Sequence, residues 1–395
     1  MKTSVRGRTG RLLLISVPAA AVTLIVAAVL VEVWVRVTWD PFKGRPGFFV
    51  SDAARLEKLG ANYDGWFAGV PVKTNGLGFR DTRDYGLEKG PRSFRILVLG
   101  DSVTFGHGSL FEHTYPFLLE QRLERWRPDL DWQVWNLGIP GYNSAQELAY
   151  LLDVGPRFRP DLVVVGFYEN DILGNGAIHQ PSWTEVTLSR FGNAVRTHWY
   201  STEWYRRGFE QLRLMLFAPA AERRLLASAP RQENLFAVPS QVASLPEQAL
   251  TNPTPMSPDE RAAGCPGPPM EVFSPKTYEQ MPGFPDWLGV ITHFGQMRRE
   301  RGYRIVFFLN SAMRLCGTRD VFDTRPSKPL DDYLLGILSK DMPAVSSHDA
   351  LAAFRPSQMP LAGGHSIGNS NAVKADVLFE FLRTRVLTAL PDRIP

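Results

Sequence analysis

Phe94–Leu99 reads FRILVL and runs directly into Gly100-Asp101-Ser102. A short apolar run closed by glycine is the pattern of a buried strand, and Tyr115, Leu118, Leu119, Leu123 and Trp126, within 112–127, are spaced along one face of a helix. The unit recurs. Trp132–Asn136 leads into Gly138 and a helix near Ser144–Leu152, and Leu162–Phe167 is a second strand of the fully buried type. It resumes with a helix near Trp287–Arg301, a strand Tyr303–Leu309, a helix near Leu330–Ser339, a short strand around Pro343–Val345 and a last helix ending near Leu387. Alternating strands and helices predict an α/β fold, a three-layer α/β/α sandwich of flavodoxin-like type around a parallel sheet of about five strands.

The interval between the third and fourth strands, residues 172–285, is far too long for a connection within a compact domain and is expected to be an insertion. It divides the predicted domain into a first half, 93–171, and a second half, 286–395. Trp199, Tyr200, Trp204, Tyr205, Phe209, Leu212, Met215 and Leu216 among arginines predict an amphipathic helix within 199–226, its apolar face packed on the domain or, as the alternative, serving a membrane-surface or lid role. The stretch 219–285 is dense in Pro and Ala and reads as loop. Residues 40–92 form an extension expected to pack on the domain, with a structured turn at 70–81 around Gly76 and Gly78.

Leu12–Val31 is a run of 20 uncharged residues, about 30 Å long as a helix and so the thickness of a bilayer's hydrocarbon core. Lys2, Arg6, Arg8 and Arg11 precede it, and Trp34 and Trp39 follow where an interfacial aromatic belt belongs. Ala19-Ala20-Ala21 falls too early for a signal-peptide cleavage site, so residues 1–39 read as a basic segment and an uncleaved single-pass anchor. The expected placement is the inner (cytoplasmic) membrane, with the N-terminus cytoplasmic and the remainder periplasmic. The same four cations equal the whole net charge of +4, leaving a neutral remainder that lacks the field a nucleic acid requires. Two cysteines, Cys265 and Cys316, exclude a four-thiolate metal site; they form either one disulfide or two unrelated buried thiols.

Ser102 stands at the carboxyl edge of the predicted sheet, where strand ends and helix N-termini converge. Backbone N–H groups of its turn suit a developing oxyanion. An alcohol becomes a competent nucleophile when a base takes its proton. Of seven histidines, His365, in the Gly363-Gly364-His365-Ser366 loop before the last helix, is best placed. His107 and His113 lie close to Ser102 in sequence but are expected to be directed away by the following helix.

Four ordered blocks then carry a resemblance: Gly100-Asp101-Ser102, Gly138 in Asn-Leu-Gly-Ile-Pro-Gly, Asn170 in Gly-Phe-Tyr-Glu-Asn-Asp, and His365. Together they resemble the SGNH/GDSL hydrolases over 70–175 and, more thinly, 300–388. The resemblance implies Ser102 as nucleophile, His365 as general base, and the Gly138 N–H and Asn170 side chain joining Ser102 N–H in the oxyanion hole. One position departs from the family. The acid usually found three residues before the histidine is replaced by Ala362. A backbone carbonyl or Asp349 is left to orient the imidazole, and Asp376 is less well placed. A working dyad, a relocated acid and a decayed enzyme all stay open.

The function implied is a membrane-anchored extracytoplasmic serine esterase or O-acyl hydrolase. It would act through an acyl-serine intermediate on an acyl ester, such as an acylated envelope saccharide or lipid, with no cofactor and no metal. The alternatives are an O-acetyltransferase of an envelope polysaccharide and a catalytically decayed binding protein.

Overall fold

The computed structural model describes residues 5–40, 44–173, 175, 181–205, 248–268, 274–281, 283–362, 364–388 and 390. Five strands, β1 (Ser93–Gly100), β2 (Asp131–Gly138), β3 (Leu162–Phe167), β4 (Arg304–Leu309) and β5 (Ala344–Ser346), form one sheet in the order β2-β1-β3-β4-β5. Every pairing is parallel. Alternation along the strands sends Leu97, Leu99, Trp135, Val163, Val165 and Phe307 to one face and Ile96, Val98, Val134, Val164, Val306 and Phe308 to the other, all essentially inaccessible to solvent. Burying each such side chain contributes about 1.5–3 kcal/mol.

The helices include a transmembrane-length α1 (Val5–Thr38), a single turn α2 (Ser102–Phe105), α3 (Tyr115–Trp126), α4 (Ser144–Phe158), α5 (Trp183–Arg196), α6 (Phe284–Arg301), α7 (Ser327–Leu338) and α8 (Asn369–Phe381). Residues of α3 and α8 join the core on one face of the sheet; those of α4, α6 and α7 join it on the other. Three glycines explain how α2 sits directly on the sheet edge. Gly100 lies in register with Gly138 on one side and Gly166 on the other. A Cβ on Gly138 would meet Phe105 N at 2.2 Å, and one on Gly166 would meet Thr104 Oγ1 at 2.3 Å. A row without side chains is what lets the turn carrying Ser102 close onto the strand ends.

The extension is built of two antiparallel hairpins, Phe49–Asp52 with Leu56–Leu59 and Asp64–Phe67 with Val70–Lys73. The insertion departs from expectation. Its described amphipathic helix is α5; of the helix expected within 199–226, residues 200–205 are helical and 206–226 lie outside the described residues. The Pro-rich part expected to be loop lies outside them over 219–247, 269–273 and 282. Its described remainder is not all loop, since Pro258–Ala263 and Pro275–Glu279 are short helices, and it is tied to the domain: Gln248 Oε1 accepts from Leu110 N at 2.8 Å, Asn369 Nδ2 donates to Thr251 Oγ1 at 2.7 Å, and Tyr278 is fully buried. Cys265 and Cys316 are joined as a disulfide. Among the described residues one segment, Val17–Thr38, is long and apolar enough to cross a membrane, with a mean hydropathy of 2.2 and 6% of it buried.

Candidate active site

Ser102 is the first residue of α2. Asp101 caps that turn, its Oδ1 accepting from Val103 N at 2.8 Å, and Gly106 ends it in the left-handed region (φ 85°). The N–H of a first helical residue has no acceptor within its own helix and faces outward from the turn. Ser102 Oγ lies 2.8 Å from His365 Nε2 and 3.3 Å from Asp101 Oδ2, so the imidazole is its stronger partner. When Ser102 donates, the ring carries its proton on Nδ1. The two halves of the site come from opposite ends of the domain, since His365 sits on a two-residue hairpin, Leu361–Ala362 with His365–Ser366, just before α8. Ala362 is the cross-strand partner of His365.

His107 does not turn away from the site as expected. Because α2 is one turn long and Gly106 reverses the chain, the His107 ring stacks on His365 with centroids 4.3 Å apart and planes 24° apart. Phe67 of the second hairpin meets His107 edge-on at 5.2 Å. Burial, reinforced by His365 and Arg80, pulls the His107 pKa down to about 3, so this ring stays neutral against His365. Two further residues went unnoticed in the sequence. Arg80, wholly buried, donates to the carbonyls of Phe105, Gly106 and Ser109 at 2.5–2.7 Å, and burial pulls its guanidinium down to about 9. Asn136 donates Nδ2 to Thr104 O at 3.0 Å. The signals were an arginine following Leu-Gly-Phe in a glycine-rich turn and an asparagine inside an apolar strand, since buried polar groups require partners.

Gly138 corrects the sequence reading. Its N–H donates to Asn136 Oδ1 at 3.0 Å and is not free for an oxyanion. Three residues on, Gly141 is exposed at φ 87°, with nothing within 4 Å of where a Cβ would stand. It lies in the turn closed by Tyr142 N donating to Ile139 O at 3.1 Å, between β2 and α4. Asn170 stands exposed at the end of β3 on the turn Glu169–Ile172, which is held by Tyr168 N donating to Asp171 Oδ2 at 2.7 Å. Asp349 is 75% exposed and engaged with His348 Nδ1 at 3.0 Å and Lys328 Nζ at 3.7 Å. Asp376 forms an ion pair with Arg122 on the surface of α8.

Beneath the turn lie three fully buried acids, Asp101, Glu147 and Asp171. Burial lifts Asp101 to about 6 against the hydrogen bonds of Val103 and Ser102 and the attraction of buried Lys374; burial in turn pulls that lysine down to about 7. Glu147 and Asp171 are pushed well above the carboxylate range by burial and then by like charge from the other acids. Neither oxygen of Glu147 has a hydrogen-bond partner among the described residues, which suits an uncharged carboxylic acid.

Residues 98–244 match the model of the GDSL-like lipase/acylhydrolase family. No curated protein sequence matches the chain significantly. Among solved structures the chain is similar to TesA, at 15% identity over 73% of this chain and 98% of that one, with a TM-score of 0.37. It is also similar to a catalytic mutant of an acetylxylan esterase from Geobacillus stearothermophilus, at 12% identity over 73% and 94% with a TM-score of 0.37. A third is a two-domain esterase active on acetylated mannans, at 12% identity over 77% of this chain and 52% of that one, with a TM-score of 0.35.

Proposed function

Because residues 98–244 match the GDSL-like lipase/acylhydrolase family, we propose that the chain is a serine esterase that works with a Ser102–His365 dyad through an acyl-serine intermediate. The observation that carries this reading is the 2.8 Å contact between Ser102 Oγ and His365 Nε2 across 263 residues of chain. In the reaction His365 Nε2 takes the Ser102 proton as Oγ attacks an ester carbonyl. The alkoxide leaves with that proton, and a water activated by the same nitrogen releases the acid. The tetrahedral oxyanion is received by Ser102 N–H, Gly141 N–H and the Asn170 side chain, Gly141 replacing Gly138 in this role. One such donor is typically worth about 3 kcal/mol. The His107 ring and the Ala362–His365 pairing help to hold the imidazole, a positioning role rather than a chemical one.

The helix Val17–Thr38 serves as a membrane anchor retained in the mature protein, with the catalytic domain on the far side of the inner membrane and an envelope acyl ester as substrate. Retention is supported by what the end of the helix does. Glu32 and Val35 are 7% and 2% exposed, and Glu32 Oε2 accepts from Ser201 N at 2.8 Å, so cleavage would remove part of the packed protein. The test is presteady-state hydrolysis of a short-chain nitrophenyl ester by the full chain in detergent. A burst of one nitrophenolate per protein followed by slower turnover supports the reading; no release above the Ser102→Ala background refutes it.

A further inference from the structure

Helix α5 meets the protein with its polar face. Ser189 Oγ and Asn193 Nδ2 each donate to Ser51 O at 2.8 Å, Ser51 N donates to Asn193 Oδ1 at 2.8 Å, and Arg196 Nη1 donates to Ser51 Oγ at 2.6 Å. The opposite side carries Trp183, Leu188, Phe191 and Val195, which are 78, 69, 72 and 40% exposed. A helix on the surface of a water-soluble domain shows the reverse arrangement. A contiguous exposed apolar face marks a surface that something covers.

The place where α5 ends identifies the cover. The carbonyl of His198, just past its last turn, accepts from Arg36 near the end of the anchor. Glu32 of the anchor caps the next helical stretch, accepting from Tyr200 N at 3.0 Å and from Ser201 N and Oγ at 2.8 and 2.7 Å. Trp34 meets Trp204 edge-on at 6.2 Å and Trp39 meets Tyr200 at 5.4 Å. These aromatics collar the anchor where a chain leaves the bilayer, the level at which Trp and Tyr gather. The end of α5 is tied to that collar, and Val33 and Val37 of the anchor are exposed beside Trp34 in the sequence.

We propose that α5 lies in the membrane interface as a second foot beside the anchor, its Trp183–Leu188–Phe191–Val195 face sunk about 5–10 Å into the headgroup and acyl boundary. This rests on the anchor reading given above. Two attachments at one collar fix the tilt of the domain, because the polar face of α5 is bonded through Ser51 to the hairpin layer that also carries Phe67 against His107.

The full chain is reconstituted in phosphatidylcholine–phosphatidylglycerol nanodiscs with one environment-sensitive fluorophore on Phe191→Cys, on Leu188→Cys, on Leu24→Cys within the anchor, or on Glu124→Cys on α3. The native cysteines are bonded to each other and stay unlabelled without reductant. The expected result is that labels at 188 and 191 lose most of their emission to shallow doxyl lipid and little to aqueous iodide. Leu24→Cys is then quenched by deep doxyl lipid and Glu124→Cys by iodide. Lipid quenching at 24 with iodide quenching at 188 and 191 overturns the foot and leaves the anchor standing. Protection at 188 and 191 from both quenchers, lost on dilution of the protein, also overturns it in favour of a second copy on that face. No lipid quenching at 24 refutes the anchor and the foot together.

Discussion

The catalytic edge and the α5 foot are assembled by opposite means. At the edge, α2 sits on a row of glycines and is stitched by buried groups, Arg80 to three carbonyls and Asn136 to Thr104, so Ser102 is presented by side chains that water does not reach. At the foot, the bonds to Ser51 are partly exposed and the apolar side chains face outward. Chemistry demands groups held in place to a fraction of an ångström. Attachment to a fluid surface demands an apolar face left uncovered. The two regions meet in the hairpin layer, which bonds α5 through Ser51 and supports His107 through Phe67.

The comparison breaks most visibly at the dyad. Ser102→Ala or His365→Ala is expected to lower turnover by about 10⁴ or more, each by nearly as much as both together, with the melting temperature unchanged. Full additivity of the two losses would show that they do not act as a unit. Next in size is His107→Ala. Freeing the imidazole from its stack should cut kcat about tenfold to a hundredfold with KM unchanged, and His107→Phe should restore most of it. A KM effect alone would make His107 a substrate contact.

Stability sharpens the same contrast. Glu147 keeps a proton in the native state that the unfolded chain releases above its ordinary value of 4.5. The native state therefore binds more protons, and stability falls as pH rises from about 4.5, by about 1.4 kcal/mol per pH unit until the native carboxyl ionises. Below that window the contribution is fully present. Glu147→Gln should flatten this part of the profile in urea titrations at pH 5 to 8, and a slope unchanged by the substitution would show that the acid is charged in the native state. The smallest effect belongs to the foot. Glu32→Ala should cost about 1 kcal/mol, the worth of a helix cap, seen as faster amide exchange at 200–205 with turnover unaltered.

Much of the edge was legible because strand, turn and helix are contiguous: FRILVL before Gly-Asp-Ser needs no knowledge of distant chain, and the strand ends carrying Ser102 and Asn170 follow from it. Gly138 was misassigned because a spacing rule does not reveal which N–H a neighbouring Asn136 consumes. Arg80 and His107 stayed hidden since their partners depend on the path of the chain after Gly106. The α5 face escaped notice because the aromatic-rich segment after 199 drew the amphipathic assignment instead. Glu32 ends the uncharged run at Val31, so its capping of a segment 169 residues away was equally invisible.

Intact-protein and peptide mass spectrometry after treatment with a fluorophosphonate tests the dyad most directly, because a phosphonyl adduct forms on a serine whose proton is being withdrawn. The account predicts one adduct per chain, on the peptide containing Ser102, and none in the His365→Ala variant. An unlabelled chain, or a Ser102 adduct formed at an equal rate without His365, would contradict it.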